Sequence, residues 1–288
     1  MNLRVGIDIG GTFTDFAALD DATGRLFVHK QLTTPADPSR AVISGLPVLL
    51  AQSAAGLGDV DTIVHGTTLV TNAVIERKGA VTAMLVTEGF VDVPEIARER
   101  RYDMYDLAIA YPEPLIPRAR RIEVGERIGA DGEVITPLDG ARLRAGLVRL
   151  GQRERVEAIA VCFLNAHANS AHEAAAASIV QEVMAEVSVS TSADVFPFIR
   201  EYERWTTTAM NAFTQPMFSR YLARLEAGLH GLGFRGSLFI MSSSGGVVGS
   251  LCHSELASTL PRTTPTPPRR FCPRNWNAWP PAMTLPFP

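Results

Sequence analysis

Cysteine is scarce in this chain. Cys162, Cys252 and Cys272 are three of 288 residues, an odd number at wide spacing. They make no disulfide framework and no CxxC metal or redox pair. Long apolar runs are missing too. The longest, Ala158 to Leu164, is far too short to cross a bilayer. Charge of one sign is not in excess: the formal net charge is −3. Nothing electrostatic therefore points to nucleic acid or to an anionic membrane, and neither is expected as a partner. No GxGxxG string occurs, and no Gly-Lys-Ser/Thr follows a glycine-rich turn. His167 and His172 are five apart around a predicted helix cap. That is poor ligand geometry, so both read as surface residues, and no metal-ligand cluster is expected. Met1 to Val5 lead straight into a strand pattern, with no signal peptide. The simplest reading is a cytoplasmic enzyme or binding domain.

What is present is an ordinary globular composition, 46% hydrophobic and 20% charged. Near Ser250 the character changes. Of 19 prolines, 9 fall in the last 38 residues, with Trp276, Trp279 and four arginines. Residues 262–274 read RTTPTPPRRFCPR, where prolines remove donors and block helix. The tail reads either as a disordered recognition segment or as the product of a shifted reading frame.

The body before it is legible as elements. Residues 3–9 (LRVGIDI) alternate, with Val5, Ile7 and Ile9 on one face and Gly6 and Asp8 on the other. Strands are predicted at 12–19 and 25–32, joined by a turn at 21–24. A helix is predicted at 39–54, a strand at 61–65, a helix at 67–78 closed by Gly79, and a strand at 80–87. An irregular stretch at 94–117 precedes a hairpin over 118–135, a helix at 138–150 and a buried strand at 156–164. Ser170-x-x-Glu173 reads as a capping box opening a helix to about Val187. A long helix at 201–229, kinked at Pro216, and a strand at 237–241 complete the body. Three antiparallel strands followed by α/β crossovers predict an α/β fold of ribonuclease-H-like type, with a mixed sheet.

Two constellations carry chemistry. In GIDIGGTFTD, Gly10 and Gly11 let backbone N–H groups approach an anion, and Thr12 adds a hydroxyl. Asp8 leaves the strand end opposite the core face, placed to hold a hydrated Mg²⁺ or to orient water. Asp15 lies across the hairpin. In VHGTTLVTNAVIERKGA, His65 is a candidate proton carrier at a strand end. Gly66, Thr67 and Thr68 stand at a helix start that favours an anion or a polarised carbonyl. Thr68, Asn72 and Glu76 share a face there, and simple capping by the threonines explains the same residues equally well.

These two strings, with LVTEGFVDVPEIARERR and VFPFIREYERWTTTAMNAFTQP, resemble the hydantoinase A/oxoprolinase family over about residues 3–248. The resemblance implies an ATPase of the actin, sugar-kinase and chaperone type, with ATP and Mg²⁺ clamped between two ribonuclease-H-like lobes. It implies ATP-dependent hydrolysis of a cyclic amide of the hydantoin or 5-oxoproline type, through phosphorylation of the carbonyl oxygen. Gly10, Gly11 and Thr12 would hold phosphate, with Thr14 and Asp15 beside them. Asp8 would serve metal or water. His65, Thr67 and Thr68 would lie near the reacting group. Glu201, Tyr202 and Arg204 match a family signature without an assigned role. A hydantoinase B-type companion subunit is the implied partner, and a lactam or ketone the substrate.

By the same resemblance, residues 1–190 form the N-terminal domain, 191–250 begin the hydantoinase A domain, and 251–288 are an irregular tail. Family members continue with a second Asp-x-Gly-Gly-Thr loop, which these 288 residues do not contain. The expectation is a frameshift or truncation after about Val248, with the second lobe largely missing. Another frame of the downstream DNA should then encode that loop, and finding it in none would contradict this. The chain alone should bind ATP weakly or not at all and should not turn over. Other readings are a carboxylase subunit, a sugar-kinase-like phosphotransferase, and a non-catalytic remnant or partner-binding lobe.

Overall fold

A computed structural model describes residues 2–98, 103, 105–106, 108, 111–241 and 246–249. The chain forms two compact units. The first takes the residues up to Glu76 and the described residues from Met217 onward; the second is Arg77–Pro216.

The first unit opens with strands β1 (Leu3–Ile9), β2 (Phe13–Asp20) and β3 (Leu26–Leu32), then helix α1 (Pro38–Ala51), strand β4 (Val60–Thr67) and helix α2 (Leu69–Ile75). The second contains β5 (Thr82–Thr87), α3 (Val93–Ile96), β6 (Arg121–Val124), β7 (Arg127–Ile128), β8 (Val134–Thr136), α4 (Gly140–Arg153), β9 (Ala158–Cys162), α5 (Ala171–Val183), β10 (Ser188–Thr191) and α6 (Ser192–Val195). Helix α7 (Glu201–Gly231) passes from the second unit to the first at Pro216. Strands β11 (Ser237–Met241) and β12 (Val247–Gly249) close the first unit.

The first unit's sheet has the order β12-β11-β4-β1-β2-β3. β1, β2 and β3 are antiparallel neighbours, while β4 runs parallel to β1 and to β11. This is the mixed sheet that the three-strand opening predicts. Alternation decides its faces. Leu3, Val5, Ile7 and Ile9 are buried, and the residues between them are exposed. Thr14, Phe16 and Ala18 continue the buried face onto β2. Helix α1 covers it with Val42, Leu46 and Leu49, and the second half of α7 supplies Leu222, Leu225 and Leu229. Each such side chain contributes roughly 1.5–3 kcal/mol by burial. Gly45 is required where α1 meets the sheet, because a Cβ there would stand 2.5 Å from the Phe16 ring.

The second unit holds a four-stranded parallel sheet of order β10-β9-β5-β6. Every residue of β5 and β9 is buried. Leu143, Leu147 and Val180 of α4 and α5 pack on one face. Trp205, Ala209 and Ala212 of α7 pack on the other. Parallel strands covered on both sides read as continuous apolar runs, as these do.

Several local readings are corrected. The helix after β4 ends at Ile75, and the left-handed residue beyond it is Arg77 (φ 53) rather than Gly79. Gly79 serves a close approach instead, since a Cβ there would lie 2.3 Å from the Phe213 ring. Residues 118–135 are not one hairpin. Arg121–Val124 pairs in parallel with β5, and only β7 and β8 form the hairpin. Ser170 makes no side-chain cap, and Glu173 turns inward rather than back to the helix start. His172 is buried against Glu126 (Nδ1 to Oε2, 2.8 Å), not on the surface. The expectations for the tail, including Cys252 and Cys272, lie outside the described residues.

Candidate functional site

The turn that follows β1 is closed by the Gly10 N–H, which donates to the Phe13 carbonyl (2.9 Å). It is braced from the core side. The Thr33 hydroxyl donates to the Gly10 carbonyl (3.0 Å) and lies 2.9 Å from the Thr14 hydroxyl. The Thr33 N–H donates to Thr12 O (2.9 Å). Thr14 is fully buried, so its hydroxyl is spent on this brace and faces away from the turn's open side. Gly11 and Thr12 are exposed residues, and their N–H groups donate to no partner among the described residues. They are the free donors of the turn.

Register sets the charged row beneath it. Asp8 pairs with Asp15 on β2, and Asp15 with Lys30 on β3. The three side chains therefore share the exposed face. Lys30 Nζ lies 2.9 Å from Asp15 Oδ1. The Asp8 carboxylate makes no hydrogen bond or ion pair among the described residues. On its other side Asp8 pairs with Gly66 of β4. A Cβ on Gly66 would meet Asp8 Oδ1 at 3.4 Å, so larger side chains would crowd the carboxylate. A groove of about 900 Å³ runs over this face, lined by Asp8, Asp15, Lys30, Gly66, Val28 and Met241 among others.

Helix α2 buttresses the turn. The Thr68 N–H and hydroxyl both approach the Ile9 carbonyl (3.3 and 3.4 Å), and Asn72 Nδ2 donates to Thr68 Oγ1 (3.3 Å). Thr67 Oγ1 accepts from the Leu69 N–H (3.1 Å). A Cβ on Gly11 would touch Asn72 Nδ2 at 3.4 Å.

His65 stands elsewhere. It shares the core face with Ile7 and is fully buried. Nδ1 lies 3.4 Å from the Ile7 carbonyl, and the Tyr221 hydroxyl is 2.6 Å from Nε2. With Nδ1–H donating to Ile7, Nε2 accepts the tyrosine proton, and the ring is neutral. Burial lowers its pKa to about 4. It also raises that of the Tyr221 hydroxyl.

The structure thus groups Asp8, Gly10, Gly11, Thr12, Asp15 and Thr68 and leaves Thr14 and His65 on the opposite face. Lys30 escaped the reading of the sequence. The period-two pattern that put Asp15 on the exposed face also puts Lys30 there once β3 is paired.

The signature residue Arg204 lies in the second unit and is fully buried. Its guanidinium donates to Phe163 O (3.0 Å), Phe198 O (2.9 Å), Ser192 Oγ (3.1 Å) and Glu201 Oε1 (3.3 Å). Ser192 in turn donates to Glu173 Oε1 (2.6 Å), which also accepts from the Phe163 N–H (2.8 Å). Arg204 and Glu173 are thus joined through a hydroxyl. Together they tie the end of β9, the start of α5, α6 and the start of α7.

Residues 4–184 match the hydantoinase/oxoprolinase N-terminal region, and residues 204–257 match the hydantoinase/oxoprolinase domain. The chain belongs to the hydantoinase/oxoprolinase family. An uncharacterised Methanocaldococcus jannaschii protein is 37% identical over 250 residues, which is 86% of this chain and 36% of that one. The caprolactamase subunit alpha of Pseudomonas jessenii is 36% identical over 264 residues, 88% of this chain and 37% of that one. The structure of ATP-dependent caprolactamase from that organism superposes with a TM-score of 0.75 over 85% of this chain and 36% of its own. Nucleotide-free acetone carboxylase superposes with a TM-score of 0.78 at 26% identity, over 86% of this chain and 37% of its own. The chain therefore spans little more than a third of the length of these relatives. No described helix is long and apolar enough to cross a membrane.

Proposed function

We propose that this chain carries the N-terminal half of the nucleotide site of an ATP-dependent cyclic-amide hydrolase. One observation supports this most: an unpaired Asp8 carboxylate beside the free N–H groups of Gly11 and Thr12, in a family whose relatives include an ATP-dependent caprolactamase. Mg²⁺ binds by one or two carboxylates together with substrate phosphates and keeps several waters. A single free carboxylate facing an open groove suits that.

The chemistry follows from the substrate. An unstrained lactam is a poor electrophile. Transfer of a phosphoryl group to its carbonyl oxygen turns that oxygen into part of a leaving phosphate. Water then attacks the carbon, the C–N bond breaks with the amine taking a proton, and a second water displaces the phosphate from the acyl phosphate that remains. Gly11 and Thr12 hold the phosphate by their N–H groups. Asp8 holds the hydrated cation and keeps it at the turn. Asp15 pairs with Lys30 while the turn is empty. Thr68 and Asn72 fix the turn from the side, and Thr14 fixes it from below. His65 is a positioning residue: its neutral ring ties the core face of β4 to β1 and so keeps Gly66 opposite Asp8. Stabilisation of charge by preset donors is the main source of rate in such a site.

The acetone carboxylase likeness favours a second reading, in which a carboxylating nucleophile replaces water. The caprolactamase relative is a subunit alpha, which supports a companion chain for either reading.

The test is a chimera of residues 1–248 with the downstream part of the caprolactamase alpha subunit, assayed with its companion. Lactam-dependent ADP release is expected, with a drop of about 100-fold or more for Asp8→Asn, the scale of losing a key charge-stabilising group. A folded chimera whose ATP hydrolysis ignores both lactam and the Asp8→Asn change contradicts the proposal.

A further inference from the structure

The described part of the site has a charge problem. Asp8 and Asp15 face each other across β1 and β2, and the turn above them offers only neutral N–H donors. A polyphosphate approaching this row meets two carboxylates. The cation that answers them from the protein is Lys30, in register with Asp15 on β3.

Its placement is directional. Lys30 Nζ sits 2.9 Å from Asp15 Oδ1 and 4.9 Å from the centre of the Phe13 ring. Phe13 is the residue that closes the turn, so the ammonium leans along its strand toward Gly10–Phe13 rather than away from it. The side chain is 56% exposed and Asp15 52%. An exposed ion pair is weak, so the flexible lysine stem can leave Asp15 at little cost. Arg4 shares this face of β1, but it lies two steps further from the turn and is held by Asp21 (2.9 Å).

Resting on the nucleotide reading above, we propose that Lys30 contacts the terminal phosphate of the nucleoside triphosphate held at the Gly10–Phe13 turn. The ammonium pairs with Asp15 when the turn is empty and with the phosphate when it is filled. Lys30 then discriminates a triphosphate from a diphosphate, because the shorter ligand ends before the lysine.

The chain offers a clean test, for Lys30 and Lys78 are its two lysines. An acyl-phosphate derivative of ATP transfers its acyl group to an amine beside the terminal phosphate. Covalent capture accumulates, so even weak occupancy is read. The full chain is treated with this probe and Mg²⁺, and acylation at each lysine is measured by peptide mass spectrometry. Hydrogen exchange across residues 9–13 is followed in parallel with plain Mg–ATP. The expected result is acylation of Lys30 that excess ATP suppresses about tenfold and excess ADP suppresses far less, with Lys78 insensitive to both. Slowed exchange at the turn without ATP-sensitive acylation of Lys30 overturns this inference and leaves the nucleotide site standing. Unchanged exchange together with labelling that excess ATP does not suppress, found again in the chimera of residues 1–248, overturns both. Acylation of Lys30 suppressed equally by ADP and ATP removes the terminal-phosphate assignment.

Discussion

Replacing Arg204 by leucine is expected to destabilise the second unit by about 3–5 kcal/mol, the usual cost of removing one partner of a buried charge network. The reason is what stays behind. The Phe163 and Phe198 carbonyls lose their donors, and Glu173 keeps a buried carboxyl whose cationic counterpart has gone. Each such orphan costs on the order of 1–3 kcal/mol. Arg204→Lys should recover part of the loss, because the charge returns but a point charge cannot reach four acceptors at once. Urea denaturation followed by circular dichroism reads both variants. A loss under about 1 kcal/mol for Arg204→Leu would mean that the network is incidental to the fold. The signature around Glu201 and Arg204 is accordingly a structural weld of the second unit.

The second large effect is acid sensitivity of the first unit. His65 has its pKa lowered from 6.5 to about 4 by burial. The unfolded chain therefore binds more protons between those values, and stability rises with pH there. The contribution is whole above pH 6.5 and is lost as pH falls toward 4, amounting to about 3 kcal/mol at 1.36 kcal/mol per unit. His65→Gln should flatten the slope in that window and leave little pH dependence from this position. Glu173 acts in the other unit with opposite sign. Burial raises its pKa from 4.5 to about 7, so its contribution is whole below pH 4.5 and fades as pH rises through 7. Comparison of His65→Gln with the native chain separates the two. An unchanged acid slope in the variant would show that the buried imidazole is not the sensor.

The sequence announces the first unit better than the second. Alternation over residues 3–9 is enough to place Asp8 opposite the core, because one face of the sheet carries α1 and α7 and the other does not. The same alternation places Asp15 with Asp8, and it would have placed Lys30 had β3 been paired in register. His65 misleads for a local reason. It sits in a glycine- and threonine-rich motif, yet strand geometry turns it to the face of Ile7, where Tyr221, 156 residues away, supplies its partner. No local pattern encodes that meeting. The second unit fails in a similar way. Arg121–Val124 looks like one arm of a hairpin because the Asp131-Gly132 turn is strong, but its true partner is β5, over 30 residues earlier. Glu173 stands where a capping box would put it and is taken instead by the Phe163 N–H and Ser192. In each case a long-range partner outbid a sound local signal.

Under the proposed function, the turn after β1 serves phosphoryl transfer to a carbonyl oxygen. The most direct measurement uses the active chimera and a lactam carrying ¹⁸O in its carbonyl. If the oxygen is phosphorylated and leaves with phosphate, the released inorganic phosphate carries the label, one ¹⁸O for each ring opened. Unlabelled phosphate with the label kept in the amino-acid product would contradict departure of the carbonyl oxygen with phosphate.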